Sequence, residues 1–199
     1  MKRLAVIILI AFLTLSGCTQ KKADKKESAP LKTKTGNPVA LIQTTMGDIT
    51  LELFPDAAPK HAANFEKLIG QGFYDSTTFH RVIPGFMIQG GDPLSKDGNR
   101  GNDGNGNPGY VIDPEPNANK HERGAVGMAR GNQPESNGSQ FYICVQPQPH
   151  LDQLEFTIFG KVINGIDVVD RIVNVPRDSQ DNPLEPVYMK KVQLVSESR

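Results

Sequence analysis

Apolar residues recur along the chain with two different spacings, and each spacing points to an element. From Asp48 to Phe54, Ile49, Leu51 and Leu53 alternate with Asp48, Thr50 and Glu52, the period-two pattern of a half-buried strand. Val39–Thr45 is similarly strand-like, and Met46-Gly47 joins the two into a hairpin. Pro59 then opens a stretch with Ala62, Phe65, Leu68 and Ile69 on one helical face, and Gly70 and Gly72 act as stop signals. Further strands are predicted over Thr77–Ile83, Phe86–Gly90, Gly124–Ala129, Gln140–Val145, Phe156–Val162 and Val187–Val195, with a second, short helix around Ile166–Ile172. Eight strands, two helices and no strand–helix alternation predict a mainly β fold. Its expected form is a closed eight-stranded antiparallel barrel capped by two α-helices, because closure removes exposed sheet edges.

The amino-terminal pattern is of another kind. Lys2 and Arg3 precede an uninterrupted apolar run, Leu4 to Leu13, and Leu15-Ser16-Gly17-Cys18 follows. The run is short for a bilayer span, which takes about 20 residues, and it suits a cleaved secretory signal. The four residues ending at Cys18 resemble the lipobox of bacterial lipoproteins. That resemblance implies a diacylglycerol on the Cys18 thiol, cleavage just before it and stable membrane anchoring. Thr19 to Pro38 holds six lysines and hardly any apolar residue, too little to offset the entropy of ordering it. The expected layout is a signal peptide over 1–17, a lipidated cysteine and Lys-rich disordered tether over 18–38, and a folded domain over 39–199. The expected location is the cell envelope, on the extracytoplasmic side of a membrane. Thr19 rather than Asp after Cys18 favours the outer membrane where the cell has one.

Charge fits this layout. The chain has 22 Lys and Arg and 22 Asp and Glu, a net charge of zero. Residues 1–38 carry eight basic and two acidic residues; residues 39–199 carry fourteen and twenty. The folded part is therefore acidic, which excludes nucleic acid as its partner. Cys144 is the only cysteine of that part, and it lies in the apolar run Phe141-Tyr142-Ile143-Cys144-Val145. It reads as a packed core thiol rather than a nucleophile.

Several motif matches carry no chemistry. Gly104-Asn105-Gly106-Asn107-Pro108-Gly109 has the spacing of a dinucleotide-binding turn, but no strand precedes it and Pro108 interrupts it. Asp103, Asn105 and Asn107 suggest a calcium loop, yet Pro108 replaces the turn glycine and Pro114 the final Glu. His61, His80, His121 and His150 show no ligand spacing. No metal and no cofactor are expected.

One segment stands apart, Phe79-His80-Arg81-Val82-Ile83-Pro84-Gly85-Phe86-Met87-Ile88-Gln89-Gly90-Gly91-Asp92. Two strands meet at a Pro-Gly turn, and Met87 and Gln89 share a face. If Arg81, Phe86, Met87 and Gln89 converge, a cation, two large apolar groups and an amide border one patch. No nucleophile stands beside a base. The segment is similar to the signature of the cyclophilins, peptidyl-prolyl cis–trans isomerases. The likeness continues in Gly124-Ala125-Val126-Gly127-Met128-Ala129, in Asn137-Gly138-Ser139-Gln140-Phe141-Tyr142-Ile143 and in Phe159-Gly160-Lys161-Val162, over about residues 39–195.

The resemblance implies a barrel of eight antiparallel strands with two helices, the same architecture that the periodicity predicts. It implies that Arg81 is catalytic and that Phe86, Met87, Tyr142 and Leu151 hold a proline ring. Gln89 would orient a substrate carbonyl, while Ala129, Arg130 and Gln140 would line the groove for an extended peptide. Phe156 takes the family's His/Tyr/Phe position, and His80 buttresses the strand pair. The implied partners are proline-containing polypeptides, the chain acting as a monomer. A proline-peptide-binding chaperone with little turnover would use the same groove, but the presence of Arg81, Gln89, Phe86 and Met87 favours the isomerase. Three residues depart from the family pattern. Arg130 replaces an Asn common in relatives, Tyr142 replaces a pocket Phe, and His150 replaces the Trp of cyclosporin-sensitive members.

Overall fold

The computed structural model describes residues 36–131 and 138–195. The expected signal peptide, Cys18 and the tether up to residue 35 lie outside the described residues. Among the described residues, eight strands form one antiparallel sheet: β1 (Val39–Thr44), β2 (Gly47–Leu53), β3 (Arg81–Ile83), β4 (Met87–Gly90), β5 (Ala125–Met128), β6 (Phe141–Cys144), β7 (Ile158–Asn164) and β8 (Met189–Val195). Their order across the sheet is β3-β4-β6-β5-β7-β2-β1-β8. Alternation along the strands sends one set of side chains inward. Phe65, Tyr74, Phe79, Phe141 and Phe159, all fully buried, anchor that core.

The sheet curls but does not close as a continuous ladder, so the expected closed barrel is corrected to an open one. The predicted strand over Thr77–Ile83 begins only at Arg81. The reason lies in how its first residues spend their hydrogen bonds. The Thr78 N–H donates to Ser95 Oγ at 3.0 Å, and the Thr77 N–H donates to the Tyr74 carbonyl at 3.1 Å. Donors used locally are lost to a ladder. What joins the two ends is a single bridge, Thr78 to Tyr188, with the Phe79 N–H on the Val187 carbonyl at 3.0 Å and the Met189 N–H on the Thr77 carbonyl at 2.8 Å.

Among the described residues there are three α-helices rather than two: α1 (Pro59–Gly70), α2 (Pro149–Gln153) and α3 (Ile166–Val173). Pro59 starts α1, and no side chain of Ala58 can cap it. Glu115, from a distant loop, does so instead, accepting the N–H groups of Lys60 and His61 at 3.0 and 2.9 Å. A carboxylate there also meets the positive end of the helix dipole. The outer face of β2 is more covered than a half-buried strand implies. Thr50 and Glu52 are each 3% exposed, and Glu52 pairs with Lys161 at 3.1 Å. Helix α2 was invisible to periodicity because five residues make little more than one turn.

Candidate functional site

Strand alternation builds the site on the outer face of β3, β4 and β6. Phe141 and Ile143 point into the barrel core, which leaves Tyr142 and Cys144 outside; Ile88 points in, which leaves Met87 and Gln89 outside. The register then sets these residues side by side. Arg81 faces Gln89, Gln89 faces Tyr142, and Tyr142 faces Gly127, a cross-strand row running over four strands. Helix α2 covers one flank with Leu151, and a second apolar cluster forms from Met87, Tyr142, Cys144 and Leu151, with Phe86, Ala129 and Phe156 against it.

A cavity of about 200 Å³ opens at this cluster, lined by Arg81, Phe86, Met87, Gln89, Ala129, Arg130, Tyr142, Leu151 and Phe156. Nine of the ten substrate-contacting residues anticipated from the sequence thus meet around one space. The tenth, Gln140, stands in a neighbouring cavity of about 230 Å³, beside Gly104, Asn105, Gly106 and Asn107. Its amide is committed internally: it donates to the Gly104 and Gly106 carbonyls at 2.9 Å each and accepts from Gln89 Nε2 at 2.9 Å. Gln140 therefore ties the Gly/Asn-rich loop to Gln89. Gln89, Ala129 and Arg130 border both cavities.

Charge is arranged sparingly. Arg81 is exposed, and its guanidinium makes no hydrogen bond or ion pair with any described residue. Arg130 is held: it donates to the Leu154 carbonyl at 2.6 Å, and its guanidinium lies 4.4 Å from the centre of the Phe156 ring. His80 is 4% exposed, and burial pushes its pKa below the ordinary histidine value. Cys144 is fully buried, and burial pushes its thiol up to about 12. Such a thiol is protonated at neutral pH and supplies no nucleophile.

Sequence reasoning missed His121 and Asp152. His121 Nδ1 lies 2.6 Å from Asp152 Oδ1, and His121 Nε2 lies 2.7 Å from the Tyr142 hydroxyl. The two residues are 31 positions apart in a loop and a short helix, so no spacing rule joins them. The single signal was the departure at Tyr142, whose extra hydroxyl needs a partner when buried.

Comparison with known proteins agrees with this geometry. The family model "Cyclophilin type peptidyl-prolyl cis-trans isomerase/CLD" matches residues 39–194. The chain is 48% identical over 128 residues to peptidyl-prolyl cis-trans isomerase B of Bacillus subtilis, covering 63% of this chain and 83% of that one. It is 40% identical over 158 residues to peptidyl-prolyl cis-trans isomerase-like 2 of Gibberella zeae, covering 78% of this chain but 26% of that longer protein. Among solved structures, a cyclophilin type isomerase of Cryptosporidium parvum, crystallised in the presence of the dipeptide Ala-Pro, superposes with a TM-score of 0.72. The identity is 35%, covering 80% of this chain and 99% of that one. From the open eight-stranded barrel, the outer-face cavity and these matches, the chain belongs to the cyclophilin-type peptidyl-prolyl cis–trans isomerases.

Proposed function

We propose that the chain isomerises X–Pro bonds of polypeptides by binding the twisted amide more tightly than either planar form. Resonance between the amide nitrogen and the carbonyl sets a rotation barrier of about 18–20 kcal/mol. The cis and trans states differ by only about 0.5–1 kcal/mol. No covalent step is needed, only preferential binding of the transition state. When the amide twists, the prolyl nitrogen regains its lone pair and accepts a hydrogen bond.

The observation that carries this reading is the Arg81 guanidinium, unpaired among the described residues, at the rim of an apolar cavity walled by Phe86, Met87, Tyr142, Leu151 and Phe156. Arg81 donates to the prolyl nitrogen while the ring sits among those side chains. Gln89 has turned its Nε2 to Gln140, which leaves Oε1 to accept a main-chain N–H of the substrate. Ala129 and Arg130 border the extended peptide. The test is the isomerisation rate of a short X–Pro peptide with the wild type and with Arg81→Ala. Equal rates, or no rate above background, would refute the enzyme. Peptide binding without turnover would make the chain a binding module.

The setting of the reaction is supported by sequence. The run from Lys2 to Cys18 suits a lipid-anchored protein of the cell envelope acting on exported chains, as a monomer. Cys18→Ser should release the protein from the membrane fraction. Continued membrane association would contradict the anchor.

A further inference from the structure

Tyr142 is 4% exposed and forms part of the cavity wall, while its hydroxyl belongs to a buried chain of hydrogen bonds. His121, 2% exposed, stacks on the Tyr142 ring at 5.9 Å between centroids and 17° between planes. Its Nε2 meets the hydroxyl at 2.7 Å, and its Nδ1 meets Asp152 Oδ1 at 2.6 Å. The His121 backbone N–H donates to the same carboxylate oxygen at 3.0 Å. Asp152 belongs to α2, whose Leu151 borders the same cavity.

The proton positions follow. Burial works against the Asp152 carboxylate, but the hydrogen bonds from the His121 side chain and backbone outweigh it and hold its pKa below the ordinary value. Burial also lowers the His121 pKa, against the opposing pull of Asp152. A neutral imidazole beside an ionised carboxylate carries its proton on Nδ1, so Nε2 accepts from the Tyr142 hydroxyl. Both ring nitrogens of His121 and the Tyr142 hydroxyl thus have matching partners. A Phe at position 142 would leave a buried Nε2 with nothing to accept, and a buried unsatisfied acceptor is destabilising.

We propose that His121 and Asp152 are positioning residues for the isomerase. Through Tyr142 on one side and Leu151 on the other, they hold two walls of the proline cavity at a fixed separation before substrate arrives. The proposal rests on the isomerase reading above. A preformed cavity spares the substrate the work of ordering side chains, and the gain appears in affinity. The three residues act as one unit, which distinguishes them from a staple that merely fastens the loop at His121 to α2.

The experiment compares wild type, Tyr142→Phe, His121→Asn and the double variant in the X–Pro peptide assay, with an Ala-Pro titration by NMR alongside. Asn at 121 keeps an N–H near the Nδ1 position for Asp152 and removes Nε2 together with the ring stacked on Tyr142. Each single variant should raise KM by about threefold to tenfold, the loss of one hydrogen bond, with kcat within about twofold of wild type. The double variant should be no worse than the more impaired single one, because both substitutions break the same bond. Single effects that multiply in the double variant, or a KM unchanged in both singles, would overturn the proposal. If the wild type shows no turnover, the isomerase reading fails separately, and the Ala-Pro affinities decide. Equal affinities across all four proteins, or no binding by any, would overturn the positioning role.

Discussion

Gly127 on β5 faces Tyr142 on β6, and a Cβ at residue 127 would overlap both Cζ and the hydroxyl oxygen of Tyr142. The glycine is required by close approach alone, since its backbone is not in the left-handed region. Gly127→Ala is expected to push the ring into the cavity, lowering kcat/KM at least tenfold and stability by about 1–3 kcal/mol, the usual range for overpacking. Tyr142→Phe should not rescue it, because Cζ is as close as the oxygen. Denaturant melts and peptide kinetics of the single and double variants check both statements.

Arg130 fastens the end of β5 to the α2 side of the groove through the Leu154 carbonyl and the Phe156 ring. Arg130→Ala should leave Phe156 free to move and raise KM severalfold. The cost in stability should stay near about 0.5–1 kcal/mol, as for an exposed cation–π contact. Arg130→Lys should restore little, since Lys lacks the planar fork that stacks and donates together. An Arg130→Lys enzyme with wild-type KM would show that charge alone matters.

Acid should weaken the fold in two stages. Burial holds His80 and His121 below the ordinary histidine pKa of 6.5. As pH falls through 6.5 the unfolded chain gains protons that the folded chain refuses, so stability drops. Burial opposes ionisation of Asp152 and Glu115, but their hydrogen bonds with His121 and with His61 hold both pKa values below the ordinary 3.8 and 4.5. Their contribution is present above those values and is lost as pH falls through the folded ones. Urea midpoints should therefore be flat between about pH 7 and pH 8 and fall on acidification, first below 6.5 and again below 4.5. A midpoint that rises between pH 7 and pH 5 would contradict this.

Cys144 should resist thiol reagents while the protein is folded. With its pKa pushed up to about 12 by burial, it carries almost no thiolate at pH 8 and no open path to solvent. Peptide mapping after iodoacetamide treatment should find Cys144 unmodified in the native protein and alkylated in urea. Fast native labelling would show that the apolar cluster beneath the cavity opens readily.

Much of this architecture was legible because alternation is a strong signal where strands are long. Ile49, Leu51 and Leu53 announce β2, and the strand period alone puts Met87 and Gln89 on a common face. The free ends of the sheet were not legible. Nothing in Thr77 and Thr78 reveals that Ser95 and the Tyr74 carbonyl occupy their hydrogen bonds and stop the ladder from closing. Site residues lying on strands came from a motif, but partners on loops did not. His121 and Asp152 meet only because α2 folds back over β6, and the bonds of the Gln140 amide to the Gly104 and Gly106 carbonyls depend on the path of an irregular loop. Contacts made by irregular segments carry no period.

The most direct test of the account is the X–Pro isomerisation rate of Arg81→Ala against wild type at equal peptide saturation. The guanidinium is assigned a hydrogen bond that exists only in the twisted state. Its removal should lower kcat/KM by about 100-fold or more, in line with the loss of one preorganised transition-state donor, while Ala-Pro affinity changes little. A variant that isomerises as fast as wild type would contradict the assignment of Arg81 and the transition-state argument built on it.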